Sequence, residues 1–581
     1  MAYSILHKAF VDGSLIWQND ILNGLRKFYL SDGTWELYDN IPSSLYDSLS
    51  ESKDRYPDKC CLVDDNKTSY TYRKFFELVD DFAQVLYSQY YVRKGSHVGL
   101  LLYNSIEFCA AFYAVNKLGA VVVPLPTKYK KNEIFSLIEN ADLVGIIYDR
   151  DFSGWFESPG SCAGMFLLSV SSGAEQCALP TTAEISAHFA VQQPGQPRKE
   201  TQLTKPLLEQ PFEQPFGHSL GHFTDCSQGQ RSLEDTAILM FTSGTTSRSK
   251  GVCLSNYSAL HAIMVYQKIF HITEADRTII PVPIYHVTGL LALLGLFLHS
   301  GGTVYLHKFF NAERVLSDIE AHDITFLHGA PTVFSMLMEH ERQWQSLPSL
   351  QILACGSANM PKAKIQRLHQ WIPQAEFRTV YGLTETSSPA TIFPEDASQS
   401  PRIGSSGFPV PGLQMKICGE DEKILPIGTP GSVLMRGSVI TTGYYHLETE
   451  TFRNDWLDTG DIGYIDAHGY LYIVDRKKDM INRGGEKVCS LDVENALYSI
   501  SDIAEAAVVG IPDSLYGEVP AAMIKLNRGV FLTGNDIQTR LKSALATFQI
   551  PVKFIFAEKL PVTPNGKIDK NSIRQLLSQD S

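Results

Sequence analysis

The sequence FTSGTTSRSKGV, residues 241–252, combines small hydroxyl residues, glycine and a lysine. The apolar run AILMF, residues 237–241, leads into it and predicts a buried strand that ends in this loop. Backbone N–H groups and short hydroxyls donate hydrogen bonds to phosphate oxygens, and Lys250 adds positive charge. The common nucleotide P-loop has Lys followed by Ser or Thr, whereas Ser249 precedes Lys250 and Gly251 follows it. From these residues alone, the stretch is either a plain loop or a polyphosphate site.

The order S-G-T-T-x-x-x-K-G resembles the phosphate loop of the adenylate-forming superfamily. That superfamily includes acyl-CoA synthetases, peptide-synthetase adenylation domains and firefly-type luciferases. Its members commonly have Gly, Pro and His where this chain has Ser247, Ser249 and Asn256. The resemblance implies that the phosphates of ATP bind to Thr242, Ser243, Gly244, Thr245, Thr246 and Lys250.

Length and composition describe an ordinary globular protein of two or more domains, with 581 residues and 44% hydrophobic residues. The net charge of −13 argues against nucleic-acid binding and against a membrane protein held by electrostatic attraction. The ten cysteines have no metal-ligand spacing, which indicates reduced thiols and a cytoplasmic location. We expect no signal peptide and no transmembrane segment, because no apolar run reaches roughly 18 residues.

Residues 1–40 precede the part of the chain that resembles the family, and we expect them to form an N-terminal extension. Asp20 is a candidate cap for a helix that ends near Asp32-Gly33. The apolar residues of one face of that helix would be Ile21, Leu22, Leu25, Phe28 and Tyr29.

From Ile41 onward, helical and strand patterns alternate. Residues 98–102 and 120–125 predict buried strands, and the stretch between them up to Lys117 predicts a helix. Such alternation predicts parallel sheets with helices on both faces. Residues 190–232 are rich in Gln and Pro and predict an irregular, exposed connector.

The second half of the chain changes character twice. Residues 403–475 are strand-rich with Gly/Pro turns and predict a small barrel or sheet, and RKKD follows from residue 476. Together with the resemblance, this organisation predicts an α/β protein in two domains. The large adenylation domain, residues 41–477, would contain αβαβα-type sheets and a β-barrel-like subdomain. Residues 478–581 would form a small, mobile α+β C-terminal domain.

Five further segments match the superfamily in order and, with the loop, extend the resemblance over residues 41–572. They are PIYHVTGL (283–290), CGSANMP (355–361), VYGLTETSS (380–388), WLDTGDIGYID with IVDRKKDMINRGGEKV (456–466 and 473–488), and PVTPNGKIDK (561–570). Taken singly, each is also compatible with an ordinary turn or a solvated charge run. The shared order identifies the chain as a member of the family.

The resemblance assigns these segments to the nucleotide and its metal ion. Tyr381 would offer a face to adenine, Thr384 would contact phosphate, and Glu385 would hold Mg²⁺. Asp461 and Arg476 would bind the ribose hydroxyls. The remaining nucleotide contacts would come from Gly356, Ser357, Ala358 and Gly382.

Further residues are assigned to catalysis and to the thiol. Lys567 matches the lysine that bridges the carboxylate and the α-phosphate during adenylation, and His286 matches a gate to the acid pocket. Thr384 and Glu385 would complete the catalytic set. Lys478 matches a domain hinge, and Gly484-Gly485-Glu486 matches the loop that lines the pantetheine tunnel, where glycine permits close backbone approach.

The predicted acid pocket carries no permanent charge. It would be lined mainly by Tyr285, His286, Val287, Phe334 and Thr386. A second carboxylate or an ammonium group buried there would lack a partner, at a cost of several kcal/mol. We therefore expect a monocarboxylic acid with an uncharged tail. No acidic residue lies between Pro281 and Leu298 to bind the amino group of an amino acid.

These assignments predict an acid–thiol ligase that uses ATP, Mg²⁺ and coenzyme A. Loading of a carrier-protein pantetheine is the nearest alternative, because it begins with the same adenylation. Two further functions are compatible with the same scaffold, that of a luciferase-type oxygenase and that of a non-catalytic nucleotide-binding relative. Retention of Lys567, Glu385 and Asp461 argues against a non-catalytic protein.

Overall fold

Two large, mainly parallel sheets dominate the fold. The computed structural model describes residues 10–11, 14–15, 17–157, 162, 164–171, 231–242, 249–449, 451–563 and 567–579, and every structural statement below concerns these residues. The predicted connector therefore lies outside the described residues, apart from residues 231 and 232.

The first sheet has seven strands and contains the strand that leads into the phosphate loop. In spatial order they are Phe166–Val170, Leu143–Asp149, His97–Leu101, Val121–Pro124, Thr236–Thr242, Lys250–Ser255 and Gly443–Tyr444. The first five are parallel, and the last two join antiparallel. The AILMF run is thus a strand with helices on both faces of its sheet, which explains its continuous apolar sequence.

The second sheet has nine strands and carries most of the later motifs. Its order is Phe408–Pro409, Thr391–Ile392, Glu376–Tyr381, Ile352–Cys355, Phe326–Gly329, Arg277–Ile280, Thr303–Leu306, Cys60–Val63 and Ser69–Thr71. The six strands from Glu376–Tyr381 to Cys60–Val63 are parallel. Their carboxyl ends therefore meet at one edge of the sheet.

Helices between the two sheets are apolar on nearly all sides. Every residue from Ile106 to Asn116 is buried, and the Ser105 hydroxyl caps this helix by accepting a hydrogen bond from the N–H of Phe108. The helical stretch near Leu290 is also buried, and it contains a π-helical segment at Leu290–Gly295. This layering confirms the α/β prediction.

Helices account for most of the remaining regular structure. The α-helices are Asn19–Leu22, Leu45–Arg55, Tyr72–Gln89, Ile106–Lys117, Lys131–Asn140, Ser153–Phe156, Asn256–Ile269, Val287–Gly289, Leu296–Ser300, Ala312–Ala321, Pro331–Met338, Lys362–Trp371, Ser490–Tyr498, Gly534–Leu541 and Lys570–Gln579. Short 3₁₀ turns occupy Arg150–Phe152, Thr384–Thr386 and Thr547–Gln549.

Two smaller sheets follow. An antiparallel sheet contains Leu413–Cys418, Gly431–Gly437, Phe452–Arg453, Trp456–Ile465 and Leu471–Arg476, where a small barrel or sheet was predicted. The last sheet contains Ile481–Arg483, Glu486–Val488, Ile503–Asp513, Gly517–Leu526 and Lys553–Phe556. Separate apolar clusters lie on either face of this last sheet, so the C-terminal region has a core of its own.

The long N-terminal helix predicted from Asp20 is wrong. The helix ends at Leu22, and Leu25–Leu30 pairs antiparallel with Gly33–Tyr38 as a hairpin, beside a minimal pair of strands at Phe10–Val11 and Ser14–Leu15. Strand pairing satisfies more backbone groups than a lone short helix does, and the apolar spacing suits either structure. The hairpin packs on the large domain through Tyr38, whose ring stacks on His261 at a centroid distance of 5.1 Å.

Among the described residues, no helix is both long and apolar enough to cross a membrane. All cysteines in the described part of the chain are free thiols.

The docking of the hairpin gives a test of stability. Replacing the fully buried Tyr38 by Ala should lower the free energy of unfolding by about 3–5 kcal/mol, since it removes a packed ring and a hydrogen bond to the Ile21 carbonyl. Tyr29→Ala is the matched control, because Tyr29 lies on the same hairpin and is 82% exposed. Urea unfolding would measure both variants. Equal destabilisation by the two would contradict the docked arrangement.

Candidate functional site

Two of the predicted nucleotide segments follow the carboxyl ends of neighbouring parallel strands. Strands ending at Gly329, Cys355 and Tyr381 lie side by side, and the loops that follow them include Gly356–Ala358 and Gly382–Glu385. Ligands of open α/β sheets bind at such edges. Thr242 ends a strand of the first sheet, while residues 243–248 of the phosphate loop, including Ser243, Gly244, Thr245 and Thr246, lie outside the described residues.

Asp461 is the most deeply buried acid of the site, and two predicted site residues hold it. The Tyr381 hydroxyl donates a hydrogen bond to Asp461 Oδ2 at 2.6 Å, and Arg476 Nε lies 3.3 Å from Oδ1. Asp461 and Arg476 are register partners on adjacent strands, which explains their proximity. Burial raises the pKa of Asp461, whereas the charge of Arg476 and the Tyr381 hydrogen bond lower it.

Lys567 reaches this cluster from the other end of the chain. Its backbone is held in a small loop, where its N–H donates to the Thr563 hydroxyl at 3.2 Å. Burial and the charge of Arg476 lower the pKa of Lys567 to about 8, while Asp461 and Glu385 oppose that change. The structure therefore brings together four charged residues that the sequence separates widely.

A second cluster surrounds Glu385. The Tyr444 hydroxyl donates to Glu385 Oε1 at 2.9 Å, and Lys250 Nζ lies 4.9 Å from the centroid of the Tyr444 ring. Tyr444 thus lies between the predicted metal ligand and the predicted phosphate cation. Sequence reasoning missed Tyr444, because its position depends on an antiparallel pairing with Val252 that no local pattern announces.

Gly356 and Gly382 lie in the loops that follow two strands, where an added Cβ would come too close to backbone atoms. A Cβ on Gly356 would lie 2.9 Å from the Val380 carbonyl oxygen, and one on Gly382 would collide with the Ser388 carbonyl. Ser357 adopts a left-handed φ of 71°, and Ala358 is exposed. The half-buried Thr384 begins a 3₁₀ turn with Glu385.

The residues predicted to line the acid pocket include His286, which caps a helix, and buried side chains beside it. His286 caps the helix Val287–Gly289, its Nδ1 accepting from the N–H of Thr288 at 3.4 Å. Burial, and then the charges of Lys567 and His328, lower the pKa of His286 to about 3, so it is neutral near pH 7. Tyr285 and Val287 are buried beside it.

Two other predicted pocket residues have structural contacts. Phe334 is 1% exposed, and its ring meets Phe377 edge-on at 6.2 Å. The hydroxyl of Thr386 is engaged with the backbone of Leu383, at 2.9 Å to its N–H and 3.1 Å to its carbonyl. Their role in the pocket remains a prediction.

The region of the predicted hinge links two sheets. Lys478 lies between the strands Leu471–Arg476 and Ile481–Arg483. Just before it, the buried Asp475 accepts a hydrogen bond from the Ser490 hydroxyl at 3.0 Å, and Lys570 pairs with Glu494 at 2.8 Å. The first contact joins the two sides of the predicted hinge, and the second lies within the C-terminal domain.

The predicted thiol loop is the turn of a hairpin. Arg483 pairs with Glu486, and the two residues between them, Gly484 and Gly485, have φ values of 59° and 95°. Two successive positive φ angles are typical of a type I′ turn, for which glycine is well suited. The N–H of Gly484 donates to the Tyr516 carbonyl at 2.8 Å, within the C-terminal domain.

Asn256, one of the residues that departs from the superfamily pattern, has a structural role. Its Oδ1 accepts from the N–H of Leu45 at 3.2 Å, and its Nδ2 donates to the Ser232 carbonyl at 3.0 Å. It therefore connects the start of one core helix to another.

Comparison with known proteins matches nearly the whole chain. Residues 49–445 match the AMP-binding enzyme family, and residues 492–567 match the AMP-binding enzyme C-terminal domain. A relative from Rhodococcus jostii (strain RHA1), 3-[(3aS,4S,7aS)-7a-methyl-1,5-dioxo-octahydro-1H-inden-4-yl]propanoyl:CoA ligase, is 30% identical over 88% of this chain and 95% of its own length. The 2-succinylbenzoate–CoA ligase of a Bacillus velezensis strain is 29% identical, over 90% and 96%.

Solved structures agree with these relatives. The o-succinylbenzoate CoA synthetase of Bacillus subtilis, in complex with its acyl-adenylate intermediate, has a TM-score of 0.73 and 25% identity, and the match covers 91% of this chain and 97% of that one. The same protein in complex with ATP and magnesium has a TM-score of 0.72 at 25% identity, over 91% and 98%.

The electrostatic interaction between Arg476 and Lys567 gives a test of the site geometry. Arg476→Gln should raise the pKa of Lys567, because it removes a positive charge that disfavours the ammonium form. The pH dependence of competitive acetylation at Lys567, followed by mass spectrometry, measures this pKa. Arg453→Gln is the control, because Arg453 pairs instead with Glu422 and Asp458. An unchanged pKa in Arg476→Gln would contradict the arrangement.

Proposed function

This chain belongs to the AMP-binding enzyme family and is an ATP-dependent acid–CoA ligase, and we propose how its residues carry out the two half-reactions. In the first, a carboxylate oxygen attacks the α-phosphorus of ATP, and pyrophosphate leaves as acyl-AMP forms. In the second, the thiol sulfur of coenzyme A attacks the acyl carbon, releasing AMP and a proton. Magnesium accompanies ATP in such enzymes.

The proposal is supported by the electrostatic interaction of Lys567 with Arg476, Asp461 and Glu385, together with the contacts of Tyr381 and Arg476 with Asp461. Lys567 is thus near an Asp–Arg pair on the antiparallel sheet, which would bind ribose, and near a carboxylate at the end of a parallel strand, which would bind Mg²⁺. In this arrangement Lys567 neutralises charge on the reacting carboxylate and the α-phosphate. Catalysis of this kind depends on positioning and charge stabilisation rather than on a covalent intermediate with the protein.

The nucleotide roles follow from the two clusters. Asp461 accepts hydrogen bonds from the ribose hydroxyls and Arg476 adds a donor, while Tyr381 lies against adenine. Glu385, oriented by Tyr444, supplies a carboxylate oxygen to Mg²⁺. Lys250 and Thr242 would contact the phosphates.

The second half-reaction requires the C-terminal domain to turn about Lys478. The turn withdraws Lys567 and brings Gly484-Gly485-Glu486 to the site for the pantetheine chain. One contact between the domains that such a turn would break is the ion pair of Lys525 with Glu339 at 3.2 Å, whose carboxylate is more than half exposed, while the hydrogen bond from Ser490 to the buried Asp475 lies next to the hinge itself. Exposed ion pairs contribute about 0–1 kcal/mol, so their loss costs little.

The acid that fits the site carries one carboxylate and an uncharged tail. Tyr285, Val287 and the neutral His286 offer no charge to balance a second ionic group. A carrier-protein thiol is the alternative acceptor.

The free cysteines favour a reducing compartment, which supports a cytoplasmic location.

Measuring the two half-reactions separately tests the proposal. Wild-type protein should show acid-dependent exchange of pyrophosphate into ATP across a panel of carboxylic acids, and it should transfer supplied acyl-AMP to coenzyme A. Absence of any acid-dependent exchange would overturn adenylate formation. Exchange followed by transfer only to a carrier-protein pantetheine would instead identify the alternative acceptor.

Lys567→Ala separates the steps. Exchange should slow by about 10²–10³-fold, the usual loss for one transition-state contact, while thioester formation from acyl-AMP survives. Lys542→Ala serves as the control, because Lys542 is exposed on the same domain. Equal loss in both half-reactions would contradict the division of labour.

Tyr444→Phe tests the orientation of the metal ligand. Loss of the hydrogen bond to Glu385 should raise the Mg²⁺ concentration for half-maximal exchange by about tenfold or more, as removing a partner of a metal ligand does. The neighbouring Tyr445→Phe is the matched control, since the Tyr445 hydroxyl contacts Asp142 instead. The same Mg²⁺ dependence in both variants would show that Tyr444 does not orient Glu385.

A further inference from the structure

His328 is a buried polar residue beside the proposed acid site that the mechanism above does not use. It lies in the strand Phe326–Gly329, near that strand's carboxyl end, and is 1% exposed. Its ring meets those of Tyr266 and Phe326 edge-on, at centroid distances of 6.0 and 6.3 Å. The imidazole is therefore fixed in place by aromatic neighbours.

The two ring nitrogens of His328 have different surroundings. Nδ1 is fully enclosed and has no hydrogen-bond partner in the described part of the chain. Nε2 faces Gly356: a Cβ added there would lie 3.4 Å from it. Because Gly356 has no side chain, no side-chain atom of this residue occupies the space in front of Nε2.

The tautomer follows from this difference. Burial lowers the pKa of His328 to about 3, so the ring is neutral and carries a single N–H near pH 7. Buried N–H groups without an acceptor are rarer in proteins than acceptors without a donor. The proton therefore belongs on Nε2, and the ring presents a hydrogen-bond donor toward Gly356.

The position of this donor points to the acyl group. Gly356 begins a segment predicted to contact the nucleotide, and His328 is close enough to His286, the predicted gate to the acid pocket, to affect its pKa. The hydroxyl groups of Tyr266 and Ser388 lie 2.9 Å apart and form a hydrogen bond with each other. No hydrogen bond of His328 Nε2 is found among the described residues, and the hydroxyl of Ser387, next to Ser388, is also buried without a partner there.

We propose that His328 is a specificity-determining residue whose Nε2–H donates a hydrogen bond to an uncharged oxygen in the tail of the acid, such as a ketone, ether or hydroxyl oxygen. This inference rests on the proposed function and narrows its substrate class from uncharged tails to oxygenated ones. A neutral imidazole does not supply the positive charge that a buried second carboxylate requires. A purely alkyl tail would leave the buried donor unpaired, which disfavours its binding.

The test uses non-hydrolysable acyl-sulfamoyl adenosines, so that binding is measured whether or not the protein turns over. One series carries a ketone moved one carbon at a time along a linear tail, and each member has a counterpart with a methylene at that position. Calorimetry gives the dissociation constants for wild type, His328→Phe, His328→Gln and His328→Asn. Gln places an amide N–H close to the imidazole Nε2, whereas Asn reaches only as far as Nδ1.

At one ketone position, wild type should bind the ketone about tenfold to a hundredfold more tightly than its methylene counterpart. His328→Phe and His328→Asn should abolish that preference, and they should weaken binding of the methylene compound less than binding of the ketone. His328→Gln should retain part of the preference. Equal weakening of both members of every pair would show that His328 only packs, and absence of any ketone preference in wild type would also overturn the proposal. Tight binding of these compounds without acid-dependent exchange of pyrophosphate into ATP would overturn the proposed ligase activity. The binding data would still show whether His328 selects the ketone.

Discussion

The burial of Asp461 constrains the arrangement of the site more than any other single feature. An unpaired carboxylate in that position would cost several kcal/mol, so the chain must supply donors from elsewhere. Tyr381 donates to it from the end of a parallel strand of the nine-stranded sheet. Arg476 lies on the antiparallel strand that pairs with the strand of Asp461. Placing Arg476 there also fixes the direction in which the chain leaves the large domain. The C-terminal domain begins only a few residues later and returns Lys567 to the same carboxylate.

Two cations and two carboxylates interact in this cluster. Arg476 and Lys567 both act on Asp461, and the charge of Arg476 disfavours the charged form of Lys567. Negative charge added beside Lys567 would favour its ammonium form further, in the same direction as Asp461 and Glu385 do.

Much of the fold could be predicted from the sequence, because continuous apolar runs such as AILMF are strands of the large sheets. The N-terminal region could not, since the spacing of Leu25 and Phe28 suits a helix as well as a hairpin, and the choice depends on the surface against which Tyr38 packs. Motif order indicated Asp461, Arg476 and Lys567. Tyr444 and His328 were missed because their importance arises from pairing and packing between distant segments, which short motifs do not encode.

The lowered pKa of Lys567, about 8, has a consequence for nucleotide binding. Near pH 8 roughly half of the unliganded molecules would carry a neutral amine at this position. Phosphate groups placed beside it favour the ammonium form, so binding of ATP draws a proton from solution. By linkage, the affinity for ATP then weakens as the pH rises through this range, and the heat of binding depends on the ionisation enthalpy of the buffer. Proton uptake thus becomes part of the binding step itself, before any acid is activated.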